Sequence, residues 1–172
     1  MLPPFFIARR FPMKKFLAGL MLALALIVSP FALPTAQAGM SAYLAQALAA
    51  QYFNGTAYTF PTTIYVGLYV TCPSSGTGGT EASFTGYARV AETVGTTDFT
   101  TASGGLVKNA VAISWTNTGS TAQTVACYGT WDASTGGNQL FEQTLTTSQT
   151  VNAGATATFA IDALSWQFVI SP

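Results

Sequence analysis

The sequence predicts an all-β protein: an antiparallel β-sandwich of jelly-roll or immunoglobulin-like type, with one short helix ahead of its first strand. Three observations carry this. Threonine is abundant after Thr56, and β-branched threonine prefers strands. About seven short segments alternate apolar residues with a period of two. Clusters of Gly, Pro, Asn and Ser separate them, the punctuation of a sandwich or barrel. The length of 172 residues suits one such domain, placed at 39–172 after a leader at 1–38.

The helix is expected over Ser41 to Phe53. Ser41 can cap its start, Leu44, Leu48 and Tyr52 share one face, and Asn54-Gly55 ends it. Its expected role is to pack over one end of a sheet. Ile64, Val66, Leu68 and Val70 alternate with Tyr65, Gly67 and Tyr69, so that strand is apolar on both faces and belongs in the middle of a sheet. Cys72 to Gly79 reads as a loop. Tyr87 to Val94 is the next strand, and Val107 to Thr116 the third. Asn117 to Ser120 turns the chain into the strand Val125, Cys127, Gly129, Trp131. Asp132 to Asn138 is a hairpin-type loop, followed by a strand over Leu140 to Leu145. Thr156 to Ile161 and Leu164 to Ile170 close the chain. In them Phe159, Ile161, Leu164, Trp166, Phe168 and Ile170 are expected to face inward.

The first 38 residues read as an address. Met13-Lys14-Lys15 precedes the apolar run Phe16–Val28, Ser29-Pro30 breaks it, and Ala36-Gln37-Ala38 supplies small residues. This is the three-part pattern of a secretory signal peptide, with cleavage expected between Ala38 and Gly39. The run is short for a membrane span of about 20 residues, so membrane contact is expected only through this segment. Two other readings stand beside export: an uncleaved anchor, and a start at Met40 with the upstream segment untranslated.

Charge confirms the division. Charged residues make up 7 % of the chain. Arg9, Arg10, Lys14 and Lys15 lie in the leader, leaving Arg89 and Lys108 against Glu81, Glu92, Asp98, Asp132, Glu142 and Asp162. That mildly acidic body lacks the basic footprint that nucleic acid requires. The chain has no histidine, which excludes His-dependent catalysis and histidine metal sites. The acids are dispersed and pair in no short motif, and Asp98 and Asp132 sit at turns, where aspartate caps backbone. No catalytic residue, cofactor or metal is expected.

Two pairs of residues are singled out. Cys72 and Cys127 could form a disulfide in an oxidising compartment, closing a loop of about 55 residues for roughly 3–4 kcal/mol. The alternative is two buried free thiols. Tyr65 and Tyr69 share the second face of a two-faced strand and are the candidates for an interface or a sugar-stacking platform. Trp115, Trp131 and Trp166 are expected in the core.

From residue 40 onward the chain resembles a family of small phage and prophage virion proteins of tail-fibre or decoration type. The stretches that carry the likeness are Met40-Ser-Ala-Tyr-Leu44, Asn54-Gly-Thr-Ala-Tyr58, Ile64 to Val70, Glu81, Gly86-Tyr-Ala-Arg89, Ala112-Ile-Ser-Trp115 and Trp131-Asp-Ala-Ser-Thr-Gly-Gly-Asn-Gln-Leu140. Val151-Asn-Ala-Gly154 continues it, with Ala155 where aspartate is expected. The resemblance implies a non-enzymatic β-domain that assembles into a homo-oligomer or with other virion proteins through sheet faces or edges. It implies virion localisation if translation starts at Met40. The alternative is an exported, periplasmic or extracellular module that binds cell-surface proteins or glycans, resting on the leader and on exposed tyrosines.

Overall fold

A computed structural model describes residues 39–101 and 103–167. The leader, the expected cleavage position after Ala38, and the side chains of Phe168 and Ile170 lie outside these residues. The elements in chain order are β1 (Gly39–Met40), α1 (Ala42–Asn54), β2 (Thr63–Thr71), β3 (Thr80–Glu81), β4 (Val90–Thr93), β5 (Phe99–Thr101), β6 (Leu106–Asn109), β7 (Ile113–Thr116), β8 (Gln123–Trp131), β9 (Gln139–Val151), β10 (Thr156–Phe159) and β11 (Ser165–Gln167).

The caps of α1 are those its sequence spells. Ser41 is extended, and its Oγ accepts from the Leu44 N–H at 3.1 Å. Gly55 takes a left-handed conformation at φ 68°, which only glycine adopts without strain, and its N–H bonds the Ala50 carbonyl. Leu44 is buried and Leu48 half-buried. Tyr52, expected one turn further on the same packed face, is 88 % exposed. The helical spacing is right, but the last turn of the helix, residues 51–54, is exposed throughout.

The larger sheet has the order β1-β9-β8-β2-β3, with β4 also pairing β2. β2 is central, as its two apolar faces require. Tyr65↔Trp131 and Tyr69↔Cys127 bound its register with β8, while β4 and β3 share its other edge. The second layer is divided between β7–β10 and β5–β6–β11. All pairings are antiparallel, and the two layers close a sandwich over one core. Val66 and Leu68 of β2, Val125 and Tyr128 of β8 and Val151 of β9 meet Ile113 and Trp115 of β7 and Trp166 of β11. Trp115, Trp131 and Trp166 are all buried, as expected.

Four strands depart from their expected extents, and the first of them, expected over Tyr87 to Val94, is ordered as β4 only over Val90–Thr93, since Tyr87 and Arg89 are turned to Glu81. The run Val107 to Thr116 breaks into β6 and β7, which belong to different ladders. Asn109 causes the break. Its fully buried amide donates to the carbonyls of Val111 and Ala160, both at 2.7 Å, and its Oδ1 accepts from the Leu164 N–H at 2.8 Å. The chain must turn there to satisfy that amide. Ile161, expected inward, is exposed because the chain turns at Ala160–Ala163, with Asp162 at φ 65°. β9 runs further than the expected Leu140 to Leu145. Residues Leu145–Ser148 bulge opposite Ala126 alone, since Val125 pairs Gln149 and Cys127 pairs Thr144.

Candidate functional site

The outer face of the larger sheet gathers side chains from three distant segments. Alternation along β2 turns Tyr65, Gly67 and Tyr69 to this face, and alternation along β8 adds Cys127, Gly129 and Trp131. Gly67 and Gly129 lie directly opposite each other. A Cβ on Gly67 would come within 2.8 Å of the Trp131 ring, and one on Gly129 within 3.0 Å of the Tyr69 ring. The two glycines therefore form the floor on which these rings lie, 5.2 Å apart between centroids.

Arg89 closes this face. Its Nε and Nη2 donate to the two carboxylate oxygens of Glu81, each at 2.8 Å, a bidentate pair. Its Nη1 donates to the carbonyls of Ala133 at 3.0 Å and Gly136 at 2.7 Å. Its guanidinium carbon sits 3.7 Å over the Trp131 ring centroid, a cation–π contact. The tip of the β8–β9 hairpin is held from within: Asp132 accepts from the Asn138 N–H at 2.7 Å and from its side-chain amide at 2.9 Å. Asp98 caps similarly, accepting from the Thr93 N–H at 2.6 Å.

Tyr69 was a candidate for an exposed interface or sugar platform. The structure corrects this: the side chain is 5 % exposed, packed on Trp131, and its hydroxyl donates to Gln139 Oε1 at 2.9 Å. Burial, and then the nearby Glu81 charge, hold its hydroxyl pKa above the ordinary value. Tyr65 is half-buried at the margin of the same cluster. Tyr87 donates to Glu81 at 2.8 Å and accepts from the Leu68 N–H at 2.9 Å, and burial raises its pKa also.

At the far end of β2, Cys72 and Cys127 are brought side by side, with Cα atoms 5.5 Å apart, a separation that suits a disulfide, and the Thr144 hydroxyl lies beside both sulfurs. Glu142 nearby accepts from the N–H groups of Ser75 at 2.7 Å and Gly76 at 2.9 Å. Among the described residues, no three Cys, Asp or Glu side chains come together as metal ligands. Glu81 and Glu142 are each engaged as acceptors, Glu81 by a cation and Glu142 by two backbone amides.

A second feature differs in kind. Between α1, the linker to β2 and the open end of the sandwich runs a groove of about 600 Å³. Leu44, Leu48, Phe60, Ile64, Phe99 and Trp166 contribute to its walls. Tyr43, Tyr58 and Phe60 form an edge-to-face aromatic ladder along it, with centroids 6.4 and 4.9 Å apart.

The linear fragments Glu81, Gly86 to Arg89 and Trp131 to Leu140 could be read from the sequence. That Arg89 joins them was not, since no local pattern marks a guanidinium reaching a tryptophan 42 positions on. The groove was signalled only by the want of charge around its aromatic residues.

No curated protein matches the sequence. A family model does match, that of podophage GP4 fiber I protein gp80, over residues 39–167. Those are the bounds of the described β-domain and include every motif that converges on Arg89, and the chain belongs to that phage fibre family.

Proposed function

We propose that the chain is a non-enzymatic structural module of a phage virion fibre, a single β-domain from residue 39 that joins neighbouring subunits through the surfaces of its sandwich. Family membership over residues 39–167 is the observation that carries this reading. The chemistry of the outer face supports it. A general acid or nucleophile must offer a free group to a substrate. Here Arg89 neutralises Glu81, backbone amides hold Glu142, and burial keeps Tyr69 and Tyr87 protonated. The same contacts tie three loops and strands together, which is what a rigid building block needs. A joined Cys72–Cys127 pair would stiffen it further.

Sheet surfaces available for assembly are limited by the fold. Tyr69 lies under its neighbours, and the bulge at Leu145–Ser148 interrupts the edge of β9, as bulges commonly protect edges from indiscriminate pairing. Immunogold electron microscopy of purified phage particles, with antibody raised against the chain, tests the reading. Label on a fibre or tail appendage is expected. Particles that carry no label, while denatured particle protein is also negative by blot, would count decisively against it.

A further inference from the structure

The last turn of α1 and the apolar groove beside it present aromatic and aliphatic surface to solvent. We infer that this surface binds a second copy of this chain, so that two copies pair through α1 and the groove; this rests on the structural role proposed above and specifies the contact.

Area is the first argument. Tyr43, Tyr52, Phe53 and Phe60 remain 39, 88, 84 and 57 % exposed. At roughly 200 Å² per aromatic side chain they present on the order of 500 Å² of aromatic surface. A patch of that size lies at the upper end of what soluble monomers leave bare, and such patches are commonly functional. With the groove walls added, the surface approaches the ~800 Å² that each partner contributes to a standard interface. Its aromatic composition is that of an interface core rather than a rim.

Charge is the second argument, and it selects the occupant. No charged side chain occurs from Gly39 to Thr80, the stretch that holds α1, the linker and all four exposed rings. The groove residues contributed by later strands are uncharged as well. When two identical surfaces meet about a twofold axis, any charge on them faces its own kind. The lining itself carries none, and the Asp132 charge reaches it only at the margin, beside Tyr58, so self-pairing meets little such penalty, while a charged partner would find no counter-ion within the groove. Knob and recess occur on the same chain: the Tyr52–Phe53 pair, with centroids 6.1 Å apart, stands at the end of the helix whose Leu44 and Leu48 line the groove. A twofold arrangement sets the rings of each copy into the recess of the other.

Sedimentation velocity of the full chain over a wide concentration range tests this. The wild type is expected to dimerise reversibly. The double variant Tyr52→Ser/Phe53→Ser is expected to weaken dimerisation about a hundredfold, each aromatic anchor being worth about tenfold. Phe60→Ser, on the groove wall, is expected to weaken it about tenfold. Both rings of the double variant are exposed, so at concentrations where both proteins are monomeric its circular dichroism and melting temperature should match the wild type and exclude misfolding as the cause. A chain that stays monomeric at every concentration, or a dimer whose dissociation constant moves in neither variant, overturns the inference. Monomeric wild type combined with loss of the variants from phage particles would show that a different virion protein fills the groove; that overturns the second copy and leaves the structural role standing. Absence of the wild-type chain from particles would sink the structural role whatever the sedimentation result.

Discussion

The Arg89 face and the α1 groove lie on one small domain and show opposite physics. Around Arg89 the site is polar, and the hydrogen-bonding groups named there meet partners inside the chain. Along α1 the surface is apolar and aromatic, and much of it meets only solvent. A face whose polar groups are already satisfied has little left to offer a ligand, so its contribution is to stability. A face with unburied aromatic area has free energy still to gain, and that gain requires another molecule. A tyrosine on the strand of an exposed-looking face can therefore be structural, as Tyr69 is, while the residues that invite a partner stand on the helix.

Substitutions that respect or invert this contrast separate its two halves. The largest effect is expected at Trp131, where truncation to alanine removes the ring on which Tyr69 and Arg89 both rest. Trp131→Ala should cost about 4 kcal/mol in chemical denaturation. Arg89→Met should cost about 3 kcal/mol, because it leaves the Glu81 carboxylate without its cation. Phe53→Ser, on the groove side, should change monomer stability by less than ~0.5 kcal/mol. If Phe53→Ser proved as destabilising as Arg89→Met, the division between a holding face and a binding face would fail.

Replacing both Cys72 and Cys127 with serine should cost roughly 3–4 kcal/mol, measured by denaturant midpoint under non-reducing conditions. An unchanged midpoint would mean the pair is not oxidised in the isolated protein.

Glu92 gives a smaller, pH-dependent effect at the margin of the core. It is buried, and burial, then the nearby Asp98 charge, pushes its carboxyl from 4.5 up to about 7. A carboxyl raised in the folded state binds its proton more tightly there than in the unfolded chain. Its contribution to stability is complete below about pH 4.5 and is lost as pH rises through about 7. Melting temperature should fall between those limits, and Glu92→Gln should flatten that slope and melt higher than wild type at pH 8. An identical slope in the variant would remove Glu92 as its source.

At the helix cap the expected loss is local and modest: Ser41→Ala should cost about 1 kcal/mol, seen as a small loss of thermal stability. It leaves both surfaces in place.

How far these features could be read in advance depended on the range of the interactions behind them. The caps of α1 are local, and Ser41 and Gly55 announce them. The central position of β2 follows from its own two apolar faces. Asn109 was hidden inside a strand-like run because its partners, Val111, Ala160 and Leu164, are mostly far along the chain. Tyr52 keeps the correct helical phase, yet no property of α1 alone says that its last turn will stay exposed. Tyr69 looked exposed because β2 does not reveal that Trp131 will lie against it and Arg89 above Trp131. The motif fragments were visible as fragments, and only the pairing of β2 with β8 makes them one structure.

The structural role is tested most directly by peptide mass spectrometry of purified phage particles, with the mature N-terminus determined in the same experiment. Peptides spanning residues 41–167, present at a copy number comparable with other fibre proteins, are the expected result. A chain absent from the particles and recovered instead from the medium, beginning at Gly39, would contradict it.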